Sequence, residues 1–153
     1  MVKTNLSNSN KLNNSQCLKN LKDTIVSSST LNTDSNKKDV ENHPLIIYHQ
    51  NIWGLKDKIE ELVISIASES PHLICLSEHH LKYNEIDAVN IPNYRLGGKY
   101  CISSIKCGGV SIYIHKNMEY SNINLFKYCK EQDLEIVAVK LKLVAKNLIV
   151  FCA

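Results

Sequence analysis

The sequence predicts a mixed α/β (α+β) domain, and three observations carry that reading. Residues 45–77 run strand, helix, strand. Beyond residue 108 apolar and polar residues alternate with no helical period between the runs. Residues 1–43 show no period at all and are dominated by Asn, Ser, Lys and Thr.

The first strand is expected at Leu45-Ile46-Ile47-Tyr48-His49-Gln50, a short apolar, β-rich run that ends in the turn signal Asn51-Ile52-Trp53-Gly54. Leu55, Ile59, Leu62, Val63 and Ile66 then recur at three- and four-residue steps with Lys and Glu between them, which is one face of a helix. Pro71 closes that helix from just beyond its end. Leu73-Ile74-Cys75-Leu76-Ser77 is a second strand that stops at Glu78-His79-His80. A strand, a crossover helix and a strand form a βαβ unit, whose two strands lie parallel. Both strands are apolar on both faces, as in a sheet covered on two sides.

After residue 81 the pattern changes. Residues 90–94 read as loop, and Gly97-Gly98 and Gly108-Gly109 bracket a short strand and turn. Val110, Ile112 and Ile114 alternate with Ser111, Tyr113 and His115, which predicts a half-buried strand with Tyr113 and His115 on its wetter face. Residues 134–143 alternate as well, and Asn147–Cys152 is an apolar strand of central type. Strands that follow one another without helices pair as an antiparallel meander. A core strand followed at once by the terminal Ala153 gives the expectation of a truncated fold.

Composition narrows the function classes. The tail, residues 1–43, carries six Lys and four acids and is expected to be disordered, because scattered single apolar residues cannot offset ordering entropy. The domain, residues 44–153, carries twelve Lys/Arg and eleven acids, so no broad basic nucleic-acid surface shows in the totals. The apolar runs are far shorter than the ~20 residues that span a bilayer, and no membrane partner is expected. The N-terminus MVKTNLSNSNK has no apolar stretch of signal-peptide type, so an intracellular, non-secreted chain is expected. The six Cys then read as reduced thiols, with Cys75 and Cys152 inside apolar runs.

Asn51 and Glu78 stand at equivalent places, each just after one strand of the βαβ unit. In a parallel pair both fall at the carboxyl edge of the sheet, where ligands bind in α/β folds. An amide oxygen beside a carboxylate suits a hard cation such as Mg²⁺ better than zinc.

At these residues the sequence resembles the endonuclease/exonuclease/phosphatase superfamily, the DNase I-like proteins. Gln50-Asn51-Ile52-Trp53-Gly54-Leu55 is similar to its opening motif, and residues 71–81, with Glu78 after an apolar strand, to its second. Gly108-Gly109-Val110 resembles its third strand region. The resemblance covers residues 45–152 and is strongest to the endonuclease domain of LINE-type (non-LTR) retrotransposons, which accompanies a reverse transcriptase. It implies a two-layered β-sandwich with flanking helices and Mg²⁺-dependent cleavage of DNA phosphodiesters, with Mn²⁺ as the alternative ion and a nuclear place of work. By motif match Asn51 is the active-site Asn and also a metal neighbour, and Glu78 is the metal-binding Glu. His79 and His80 flank that site, and neither matches the family's catalytic His.

The later family motifs, Tyr-x-Pro, Gly-Asp-x-Asn and Ser-Asp-His, do not occur in residues 1–153; Asp34-Ser35-Asn36 lies in the tail, on the wrong side of the domain. The expectation is therefore the N-terminal part of such a domain, with metal binding weak or absent and no activity of its own. A non-enzymatic transposon-derived relic or interaction module is the alternative, and the coding sequence adjoining Ala153 discriminates between the two. Trp53 reads as a packing or rim residue rather than a base-stacking platform, and Lys99, Lys106 and Lys116 as solvated surface charges.

Overall fold

A computed structural model describes residues 44–103, 107–144 and 146–153. The expectations for the 1–43 tail and for Lys106 lie outside the described residues. Strand β1 spans Ile47–Asn51, helix α1 Ile59–Ala67 and strand β2 Leu73–Ser77. A short helix α2 (Tyr83–Asp87) leads to β3 (Tyr94–Tyr100) and β4 (Val110–His115). Then follow β5 (Tyr120–Ile123), one 3₁₀ turn (Phe126–Tyr128), β6 (Val137–Lys142) and β7 (Asn147–Cys152).

Two sheets result. The first has the order β1-β2-β4-β3, with β1 and β2 parallel and β4 antiparallel to both of its neighbours. The second is the antiparallel meander β5-β6-β7. Alternation along β2 divides the core in two. Ile74 and Leu76 meet Leu62 and Ile66 of α1, together with Leu55, Ile86, Ile91 and Tyr113. Leu73 and Cys75 face the other way and, with Val110, Ile112 and Ile114 of β4, pack on Val137, Val139, Leu141, Val150 and Cys152 of the second sheet. Each fully buried aliphatic side chain contributes about 1.5–3 kcal/mol relative to exposure, so the two layers together hold the sandwich. Helix α1 lacks a side-chain cap at Lys58, but Glu60 and Glu61 in its first turn complement the positive end of the helix dipole.

Several expectations change at the level of pairing. Gly97 and Gly98 lie inside β3 rather than beside it, at a register shift between Leu96 and Gly98. A Cβ on Gly97 would come within 2.4 Å of Ile114 Cδ1, so glycine there lets the Ile114 side chain cross the strand. Strand β4 is buried on both faces, because helix-side packing covers Tyr113 and Ser111 while the second sheet covers Ile112 and Ile114. Tyr113 is therefore core and not a wetter-face residue. Strand β1 is only partly buried, since it is an edge of its sheet. Strand β7, read as central, is an edge of the three-stranded sheet among the described residues. Its inner face holds Val150 and Cys152, while Ile149 and Phe151 are 48% and 57% exposed. Five cysteines are free thiols among the described residues. The neighbouring Cys75 sulfur and then burial hold the Cys152 thiol above its usual range.

An exposed strand edge carrying apolar side chains is a template for pairing between chains. Residues 1–153 are accordingly expected to self-associate at micromolar concentration, and Phe151→Lys is expected to shift the population toward monomer. Sedimentation velocity checks this; equal monomer fractions for the two proteins would refute it.

A candidate active site at the carboxyl ends of the parallel strands

The parallel register pairs Asn51 with Ser77, which puts Asn51 beside Glu78 at one end of the first sheet. The loops after the two strands are laced together by backbone. Ile52, Gly54 and Leu55 N–H groups donate to the carbonyls of Ser77, Glu78 and His79 at 3.0, 2.7 and 3.0 Å. On the opposite side His79 and His80 donate to Gly109 and Gly108 carbonyls at 3.2 and 2.8 Å. The Glu78 segment is thus held between the β1 loop and the approach to β4.

That segment departs from extended backbone. Glu78 and His80 have φ of 57° and 58°, and Trp53 in the facing loop has φ of 46°. Non-glycine residues in this region are strained by roughly 1–3 kcal/mol each and cluster at sites where the surroundings fix them. Glu78 and His80, two residues apart, lie on one side, and His80 Nε2 lies 2.9 Å from Glu78 Oε2. A carboxylate only accepts, so His80 donates, and one Glu78 oxygen is thereby oriented.

His79 points the other way and is fully buried. Its Nδ1 accepts the Leu81 N–H at 3.0 Å and its Nε2 donates to the Tyr100 carbonyl at 3.2 Å. Those partners require the neutral ring, and burial pushes its pKa down to about 4. With both nitrogens engaged, His79 is a structural residue between β2 and β3.

Asn51 and Glu78 line one cleft of about 500 Å³. Ser77, Gly108 and Val110 complete its wall on the first sheet, and Asp133 and Glu135 face them from the turn before β6. Glu135 is a site neighbour that the sequence did not reveal. Its carboxylate accepts the Gly109 N–H at 2.6 Å, and a Cβ on Gly108 would come within 2.8 Å of its Oε1. The two glycines therefore leave room for Glu135 on one side and for His79 on the other. Glu135 falls in the alternating 134–143 run, which marks it only as a polar strand position.

The donor set offers a hard cation one carboxylate, Glu78, and the Asn51 amide. No group of three His, Cys, Asp or Glu side chains is gathered for a metal among the described residues. Mg²⁺ is commonly held by one or two carboxylates with several waters, so this pair fits such an ion as part of a site. Of the lysines, Lys99 is engaged with Asp87 at 2.5 Å, while Lys116 is exposed after β4. No helix among the described residues is long and apolar enough to cross a membrane.

No family model matches the chain, and no curated protein matches it. The fold does have a match. The chain is similar to the crystal structure of humanized D. rerio TDP2 carrying 14 mutations, with 15% identity and a TM-score of 0.50. The alignment covers 69% of this chain and 47% of that one, so this chain spans about half the length of the TDP2 chain. The likeness is one of fold: two packed sheets with few helices, a mixed α+β sandwich of the DNase I-like type.

Proposed function

We propose that this chain is the N-terminal part of a metal-dependent DNA phosphodiesterase domain of the endonuclease/exonuclease/phosphatase type, of the LINE retrotransposon kind, and that residues 1–153 do not cleave DNA by themselves. The observation that carries the reading is the convergence of Asn51 and Glu78 in one cleft at the carboxyl ends of two parallel strands. The fold likeness to TDP2 is compatible with the architecture this reading requires. Mg²⁺, when bound, supplies charge neutralisation at a phosphate oxygen. The chain's own part is positional. Glu78, oriented by His80, and Asn51 present oxygen donors at the cleft floor, and the laced loops keep them from moving apart.

Hydrolysis further needs a group that activates water and one that stabilises the leaving oxygen, and acid–base help alone is typically worth 10²–10⁴-fold. Residues 1–153 hold no Gly-Asp-x-Asn or Ser-Asp-His motif to supply them. The donor set of one carboxylate and one amide also favours the second reading, a non-catalytic module descended from such an enzyme.

Supercoiled plasmid incubated with purified residues 1–153 and Mg²⁺ or Mn²⁺ is expected to show nicking no greater than with Glu78→Ala. Mn²⁺ binding, followed by the electron paramagnetic resonance of the free ion, is expected in the millimolar range and to vanish in Glu78→Ala. Nicking that Glu78→Ala abolishes would refute the inactivity, and Mn²⁺ binding unchanged in Glu78→Ala would refute the site.

A further inference from the structure

Trp53 is the single tryptophan of the chain, and its side chain is 64% exposed. It sits two residues beyond Asn51, in the loop laced to the Glu78 segment. The loop that carries it is pinned at its backbone, and the ring is held separately. Lys58 Nζ donates to the Ile52 and Trp53 carbonyls at 2.6 and 3.0 Å. The next residue, Gly54, donates its N–H to Glu78 at 2.7 Å. The indole itself meets the His80 ring edge-to-face, with centroids 5.1 Å apart and planes at 70°. His80 thus touches Glu78 through Nε2 and Trp53 through its ring, which couples the indole to the cleft.

A second recess, of about 280 Å³, opens beside the indole, and Lys56, Asp57, His80 and Glu85 share its lining. Lys58 and Leu81 line it as well, so the recess is mixed, with two lysines against two carboxylates. Beside it stands one flat, exposed ring with an exposed Lys56 nearby, next to a cleft read above as a phosphodiester site. Flat aromatic platforms beside a cation are how proteins hold unpaired bases, because every base has a π-face.

We propose that Trp53 is a stacking platform for an unpaired nucleobase of single-stranded DNA, with Lys56 at the adjoining phosphate. The proposal rests on the phosphodiester reading of the neighbouring cleft, but it needs neither metal nor turnover. It departs from the expectation of a packing or rim residue: 64% exposure rules out a packing role, and the contact with His80 ties the exposed ring to the cleft.

Because Trp53 is the sole tryptophan, its emission reports the event directly. The full chain is titrated with a ten-residue oligothymidylate in EDTA, where no cleavage occurs, and in parallel with a blunt ten-base-pair duplex. The single strand is expected to quench the emission saturably and the duplex much less. Fluorescence anisotropy of a labelled single strand is expected to show affinity falling by between about 5-fold and 150-fold in Trp53→Ala, with Trp53→Phe retaining most of it. Lys56→Ala is expected to lower the slope of log affinity against log salt by about 0.7. Three results would overturn the proposal: no quenching by the single strand, equal binding by wild type and Trp53→Ala, or quenching that appears only with Mg²⁺. Trp53 is exposed, so these variants retain the core, and the nicking and Mn²⁺ readouts of the cleft stay independent of this one.

Discussion

Replacing Gly109 with alanine is expected to destabilise the chain by roughly 3–5 kcal/mol, through backbone strain and overpacking together. Gly109 has φ of 89°, a conformation that L side chains rarely adopt. An added Cβ would lie 2.4 Å from His79 Cε1 and 2.7 Å from Nε2. The ring has nowhere to go. It is fully buried, its two nitrogens are held by Leu81 and Tyr100, and its own backbone N–H is bonded to the Gly109 carbonyl. Relieving the clash therefore breaks a hydrogen bond of a buried polar group, and the backbone strain persists in any rotamer. Gly98→Ala is the contrasting case: its Cβ would meet Val137 at an ordinary 3.6 Å. Urea denaturation of both variants checks the claim. A Gly109→Ala midpoint indistinguishable from that of Gly98→Ala would show that the His79 contact can relax. If Gly109→Ala does not fold, pairing it with His79→Ala separates the two causes, since removing the ring relieves the clash and leaves only the φ strain.

The first half of the fold was legible because its signal is local. The three- and four-residue spacing from Leu55 to Ile66 places Leu62 and Ile66 on one face of a helix whatever that face packs on, and α1 buries those two residues. Strands β2 and β7 start and stop where their apolar runs do. Other features depend on partners far along the chain. Nothing near Ser111 or Tyr113 announces that β4 enters between β2 and β3 and is covered on both sides. Nothing near Ile149 announces an outer face. Strand β5, Tyr-Ser-Asn-Ile, is a polar edge strand without an apolar pattern, and it forms because β6 offers its free edge.

At the candidate site the same division holds. Asn51 and Glu78 could be read as neighbours because parallel strands of a βαβ unit end on the same side, and the described register puts them there. The roles of the two histidines could not be read. Alternation beyond Ser77 would put Glu78 and His80 on one side and His79 on the other, but which side is buried is decided by Tyr100 and Gly109, far along the chain. Glu135 reads in the sequence as one polar position of the alternating 134–143 run; it lies just before β6, and only the packing of the second sheet on the first brings it to Gly109.

The neutral, buried His79 makes the chain acid-sensitive in a defined window. In the unfolded chain a histidine takes up its proton near pH 6.5. In the folded chain burial holds the pKa of His79 down to about 4. Between those values the unfolded state binds one more proton than the folded state, so stability rises with pH there and falls as the solution is acidified. Above pH 6.5 the contribution is fully present, and below pH 4 both states are protonated and no more is lost. At about 1.4 kcal/mol per pH unit the window holds about 3 kcal/mol. The charged neighbours act in opposite senses, His80 lowering the pKa and Glu78 raising it, and both are smaller than burial. Urea midpoints measured from pH 7.5 to pH 4.5 are expected to be flat to about pH 6.5 and then to decline steadily. His79→Gln can accept from Leu81 and donate to Tyr100 without titrating, so it is expected to flatten the decline while starting from a lower stability at pH 7.5. A decline of the same slope in His79→Gln would assign the acid sensitivity to other groups and remove His79 from the account.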